Sequence, residues 1–176
     1  MSASPLILPP SPMMSRRSLR NAWIPVVLSL IFVRCTSTSF AGGSHTQILV
    51  DAVWRTFLGK WHWNLTGIVN EDCRKVGHFF GYGMIGLIFR NAWYNSVRAG
   101  ILRIGESLAT VQGMISISAL SVLSTFLIAC VDEIHQRYVP GRVSSFRDVM
   151  VDTTGAAFLN LVFWLRRAHM RKQALA

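Results

Sequence analysis

The chain has 176 residues, of which 51% are hydrophobic and only 15% charged, with a mean hydropathy of +0.37. Soluble domains carry about a quarter charged residues, so this composition excludes an ordinary soluble domain and points to a helical membrane protein. The net charge of +10 raises nucleic acid as a partner, but the basic residues flank apolar runs and form no patch with interleaved stacking aromatics, so none is implied.

Cys35, Cys73 and Cys130 form no CxxC or CxxH pattern, which implies neither a zinc site nor a disulfide framework. In the topology below they fall toward one side, so an opportunistic disulfide among them stays open. No cofactor is implied.

Residues 1–21 form a basic leader. Its first 15 residues hold four of the six prolines and too little apolar surface to fold, so the leader is expected to be disordered. Arg16, Arg17 and Arg20 then precede the apolar run from Ala22 to Val33. As a helix those residues rise only about 18 Å, short of the roughly 30 Å hydrocarbon core. Extension through the Ser/Thr-rich stretch to Ala41, with Arg34 snorkelling outward, makes a marginal span over 22–41. The alternative for this segment is a cleaved signal peptide, with Ser15-Arg16-Arg17 faintly like a twin-arginine signal.

Over residues 48–61, Val50, Val53, Trp54, Phe57, Leu58 and Trp61 recur at helical spacing, with Asp51, Arg55 and Lys60 off that stripe. Together with Trp63 this predicts an amphipathic helix lying in the outer interface, where tryptophan is favoured. Three stronger spans follow, over about 76–94, 109–131 and 149–165. Pro140-Gly141 makes the last two antiparallel neighbours through a short turn. Residues 166–176 form a basic tail.

Charge orients the spans. The leader, the middle loop and the tail hold ten basic residues against Glu106 alone, while the other side holds eight basic and seven acidic residues. By the positive-inside tendency both termini are cytoplasmic, in a multi-pass protein expected in the cell inner (plasma) membrane. The expected fold is all-α and integral to the membrane, with about four transmembrane helices and one outer-face interfacial helix.

Seven of the eight carboxylates thus lie toward the outer side, several of them at helix ends. A charge at the centre of a membrane helix costs on the order of 3 kcal/mol on insertion scales, so such groups pair or serve a function. Lys75, His78 and Tyr82 share one stripe of the second span, where Gly77, Gly81, Gly83 and Gly86 offer small surface for close packing. Glu133 and Gln136 share a face at the end of the third span. Asp148, Asp152 and Gly155 share a face of the fourth, and Arg142 in the turn between them can reach both helices.

The stretch RKVGHFFGYGMIG, followed at a distance by DEIHQRYVPGRVSSFRDVMVDTTGA, resembles the VanZ-like family of small membrane proteins over roughly residues 70–165. The resemblance implies a VanZ-like membrane domain over 22–165. It carries the family signature onto Glu133, Gln136, Pro140, Arg142, Asp148, Asp152 and Gly155, with Lys75, His78 and Phe79 from the earlier segment. Asp152 stands where many members have Asn, which leaves its partner to be Lys75 or Arg142. The family is named for a protein associated with resistance to the glycopeptide teicoplanin, so an envelope role is implied without a reaction.

The polar-cluster candidates are therefore Lys75, His78, Glu133, Gln136, Arg142, Asp148 and Asp152. They admit a structural clamp on the last helical hairpin, a binding site for an anionic lipid or cell-wall precursor, or a membrane-embedded enzyme with Glu133 or His78 as general base and Arg142 stabilising negative charge. No nucleophile elbow, HExxH or metal-ligand spacing is present to favour the enzyme.

Overall fold

The computed structural model describes residues 16–38, 43–59, 65–103, 108, 110–140, 142 and 144–173. These form five helices, α1 (Arg16–Thr36), α2 (Gly43–Leu58), α3 (Thr66–Arg98), α4 (Val111–Gln136) and α5 (Phe146–Gln173), with no strand among the described residues. The fold is all-α, as the composition requires. α3, α4 and α5 pack on one another, while α1 and α2 each lie against α3.

α1, α4 and α5 contain stretches long and apolar enough to cross a membrane, Ser18–Thr36, Val111–Gln136 and Phe146–Met170. Their outward surfaces are apolar: Leu28, Ile31 and Phe32 on α1, Leu123 and Leu127 on α4, and Phe158 and Leu161 on α5 are all exposed. The interior instead holds Ser121, Thr125, Asp132, Glu133, Gln136, Asp152 and Asn160. These polar groups sit among a buried apolar cluster that includes Tyr82, Ile85, Phe89 and Ala129; large apolar side chains facing outward on membrane-length helices, with the polar groups gathered inside, mark the chain as an integral membrane protein. Hydroxyls along the helices are satisfied locally, as where Ser118, Ser124, Thr125 and Thr153 each donate to the carbonyl four residues before.

Helix ends differ from the sequence expectations in instructive ways. α1 begins within the basic leader and stops at Thr36, where the Thr36 hydroxyl and the Ser37 backbone amide both donate to the carbonyl of Val33. α2 ends at Leu58, where Gly59 takes a φ of +60° that glycine tolerates and other residues resist; Trp61 and Trp63 lie outside the described residues. α3 begins ten residues before the 76–94 segment, its polar first turns being carried by α2. α4 starts at Thr110, whose hydroxyl accepts from the Gly113 amide at 3.1 Å and caps the helix.

Glycines set the spacing between α3 and α5. A β-carbon added at Gly155 would lie 2.0 Å from the Phe79 carbonyl oxygen, and one at Gly86 would lie 2.9 Å from the Ala156 β-carbon. Backbone therefore touches backbone at this crossing, as small residues allow between membrane helices. The contact places Asp152, one turn before Gly155, directly across from His78.

Candidate functional site

The site forms where α1, α3 and α4 meet at the end of the bundle that carries the carboxylates. Asp132, near the end of α4, is its hub. One carboxylate oxygen accepts from the Tyr82 hydroxyl at 2.9 Å and from the Gln136 side-chain amide at 2.8 Å. The other accepts from the Ser37 hydroxyl at the end of α1. Three helices are thus tied to one buried carboxylate, and charge-assisted bonds of this kind are roughly twice as strong as neutral ones.

Asp152 of α5 is 1% exposed, and its partner is His78, whose Nδ1 lies 3.2 Å from Oδ1. This replaces the expected pairing with Lys75 or Arg142, because the tight α3–α5 crossing brings His78 to that face first. The His78 ring stacks on Tyr82 with centroids 5.9 Å apart. The His78–Asp152 and Tyr82–Asp132 hydrogen bonds are thus set side by side by the stacked rings.

Glu133 points the other way. Its carboxylate accepts from the Ser145 backbone amide at 2.7 Å, so it binds the N-terminal end of α5, where a negative charge is favoured. Arg142 donates through Nη2 to the carbonyls of Thr36 at 2.8 Å and Thr38 at 3.3 Å, binding the α4–α5 turn to the end of α1. Burial holds its guanidinium below the usual arginine value, and the nearby Arg74 adds to the effect. Asp148 lies half-buried in the first turn of α5.

Lys75 is not brought into the site. It is exposed and pairs with Glu71 at 2.6 Å one turn earlier on α3. That contact lowers the Glu71 carboxyl and raises the Lys75 amine. The cations that do face the site are Arg74 and Arg142. The thiols of Cys35, Cys73 and Cys130 are free.

Beside this cluster lies a groove of about 690 Å³ between α1 and α3, within the range of small-molecule pockets. Its lining changes character along its length. Pro25, Leu28, Phe32, Met84, Ile85 and Ile88 make an apolar trough, and at its far end stand Arg74, His78, Tyr82, Asp132, Gln136 and Arg142. With its polar end included the groove follows α3 from Arg74 to Ile88 for about 21 Å, and its apolar stretch along α1 from Pro25 to Phe32 spans about 10 Å, within the roughly 15 Å of one leaflet's hydrocarbon.

A family model described as VanZ/LLP1 matches residues 7–167. The chain belongs to the VanZ/LLP1 family. Comparison with curated proteins and with solved structures gave no match. In this VanZ/LLP1 chain the signature residues sort by geometry. Gly155 and Phe79 face each other at the α3–α5 crossing, Glu133 holds α5, and Gln136, Arg142 and His78 line the groove.

Asp132, Ser37 and Arg74 were not singled out from the sequence. A signal for Asp132 existed, since Asp132 and Gln136 stand at i, i+4 on one helical face, closer in register than the Glu133–Gln136 pair. Ser37 and Arg74 had no such signal, because their place depends on how α1 docks against α3.

Proposed function

We propose that this VanZ-family protein binds an anionic amphiphile of the bacterial envelope, its hydrocarbon chain in the trough between α1 and α3 and its phosphate or carboxylate head between Arg74 and Arg142. The observation that carries this reading is the graded lining of the groove, apolar along most of its length and cationic at one end. An anionic lipid or a lipid-linked cell-wall precursor has that distribution of polarity. In the proposed topology both termini are cytoplasmic, α3 supplies a fourth span over about residues 76–94, α2 lies in the outer interface, and the polar end of the groove opens toward the outer leaflet. A link to glycopeptide (teicoplanin) resistance would run through such a ligand.

The Asp132 hub and the bond from Glu133 to Ser145 then serve as the frame that holds the groove open. A second reading, a membrane-embedded enzyme acting on the same head group, draws on one observation. His78 lines the groove while the buried Asp152 orients its ring from behind, the arrangement of a general base.

Native mass spectrometry of the protein released from mild detergent tests the proposal. The wild type should retain an anionic lipid or wall precursor, and the measured mass names its class. Retention should fall in Arg74→Gln and in Gly81→Phe, which fills the groove at a position where a β-carbon meets nothing within 4 Å. No retained amphiphile, or retention in both variants equal to that of wild type, would overturn the reading. Release of the head group by wild type but not by His78→Gln would establish the enzyme instead.

A further inference from the structure

The opposite end of the bundle contains a guanidinium that the groove does not use. Arg90 of α3 is 5% exposed, and its Nε and Nη2 make no hydrogen bond. Its guanidinium lies over the Phe163 ring of α5, 4.0 Å from the centroid. Stacking occupies one face of the plane and leaves the N–H edge, the part that binds oxyanions in a fork, without an acceptor.

No described carboxylate pairs with Arg90. Among the described residues the ion pair is Lys75–Glu71 and the imidazole–carboxylate contact is His78–Asp152, both at the carboxylate-bearing end. The charged neighbour that Arg90 does have is another cation, Arg167, one turn beyond Phe163 on α5. A buried guanidinium without an acceptor is costly unless an anion joins it, and Arg167, four residues after Phe163 and so on the same face of α5, adds a second positive charge on that side. Phe163 also fixes the Arg90 plane, so its donors lose little freedom on binding.

We propose that Arg90 and Arg167 form a binding site for a phosphate group, between α3 and α5 at the basic end of the bundle. A single phosphate presents several acceptor oxygens, enough to engage the free edge of Arg90 and the head of Arg167 together. The site is separate from the groove, whose lining includes neither residue, and it does not rest on the function proposed above. The phosphate comes either from the head group of an anionic phospholipid in that leaflet or from a soluble phosphate.

The test is thermal unfolding of the full-length, delipidated protein in neutral detergent, titrated separately with phosphatidylglycerol, phosphatidylcholine and inorganic phosphate. The site predicts that phosphatidylglycerol raises the wild-type Tm while phosphatidylcholine does not. The half-saturating concentration should rise about tenfold or more in R90Q, the scale of one charge-assisted fork, and less in R167Q. R98Q, which removes an exposed charge further along α3, should titrate like wild type.

A shift with inorganic phosphate alone, also lost in R90Q, would assign the site to soluble phosphate. If R90Q does not fold, R167Q against R98Q makes the same comparison. No stabilisation by either phosphate probe, or equal stabilisation of wild type, R90Q and R167Q, would overturn the proposal.

Discussion

Replacing Gly155 with alanine tests the physical basis of the site most directly. The new β-carbon would stand 2.0 Å from the Phe79 carbonyl oxygen, whereas real β-carbons keep at least 3.0 Å from such atoms, so α3 and α5 must separate locally by 1.0 Å or more. The atom in the way is backbone and cannot rotate aside. Asp152 lies three residues before Gly155 and His78 one residue before Phe79, so the same separation stretches the 3.2 Å His78–Asp152 contact beyond 4 Å.

Overpacking costs about 1–3 kcal/mol, and a buried carboxylate that loses its partner costs about 1–3 kcal/mol more. A total of roughly 2–6 kcal/mol is expected, read as a lowered midpoint on unfolding the protein from mild detergent with sodium dodecyl sulfate, followed by circular dichroism. Gly81→Ala is the control, because a β-carbon there meets nothing within 4 Å. It should be neutral, or stabilising by about 0.5–1 kcal/mol through helix propensity. If Gly155→Ala unfolds at the same midpoint as Gly81→Ala, the close α3–α5 contact does not set the site.

Two further outcomes follow from the same geometry. Tyr82→Phe removes one donor from the buried Asp132 hub and should lower unfolding stability by about 1–3 kcal/mol in the same titration, while Lys75→Ala, whose ion pair is fully exposed, should leave it unchanged. The proposed topology predicts that Cys73, exposed on α3 before its span begins, reacts with a membrane-impermeant maleimide on intact cells; labelling only after permeabilisation would invert the orientation.

The family resemblance was legible from residues 70–165 alone, and the matching family model covers residues 7–167. The all-α membrane fold was legible too, because hydrocarbon leaves a chain few ways to satisfy its backbone and the apolar runs record that constraint directly. Helix faces were legible where 3.6-residue spacing decides them. His78 and Tyr82 do stack on one stripe of α3, and Gly155 does mark a close approach.

What the sequence could not decide is which face meets which. Lys75 shares the stripe of His78 and Tyr82, yet it sits at the polar start of α3, where Glu71 is its nearest partner. Asp152 meets His78 and not a cation because two glycine-lined backbones touch there and exclude longer side chains. Asp132 outranks Glu133 in the cluster by one helical position: 100° of rotation turns Asp132 toward Ser37 and Tyr82 and Glu133 toward the start of α5. The docking of α1 against α3 then creates the groove from residues more than 40 positions apart, such as Phe32 and His78. Sequence by itself determined the solvent, the helices and their faces, since these follow from local periodicity and the cost of burying charge. Only the tertiary structure decided the partners and the groove, since these depend on the rotation and separation of helices that no local pattern encodes.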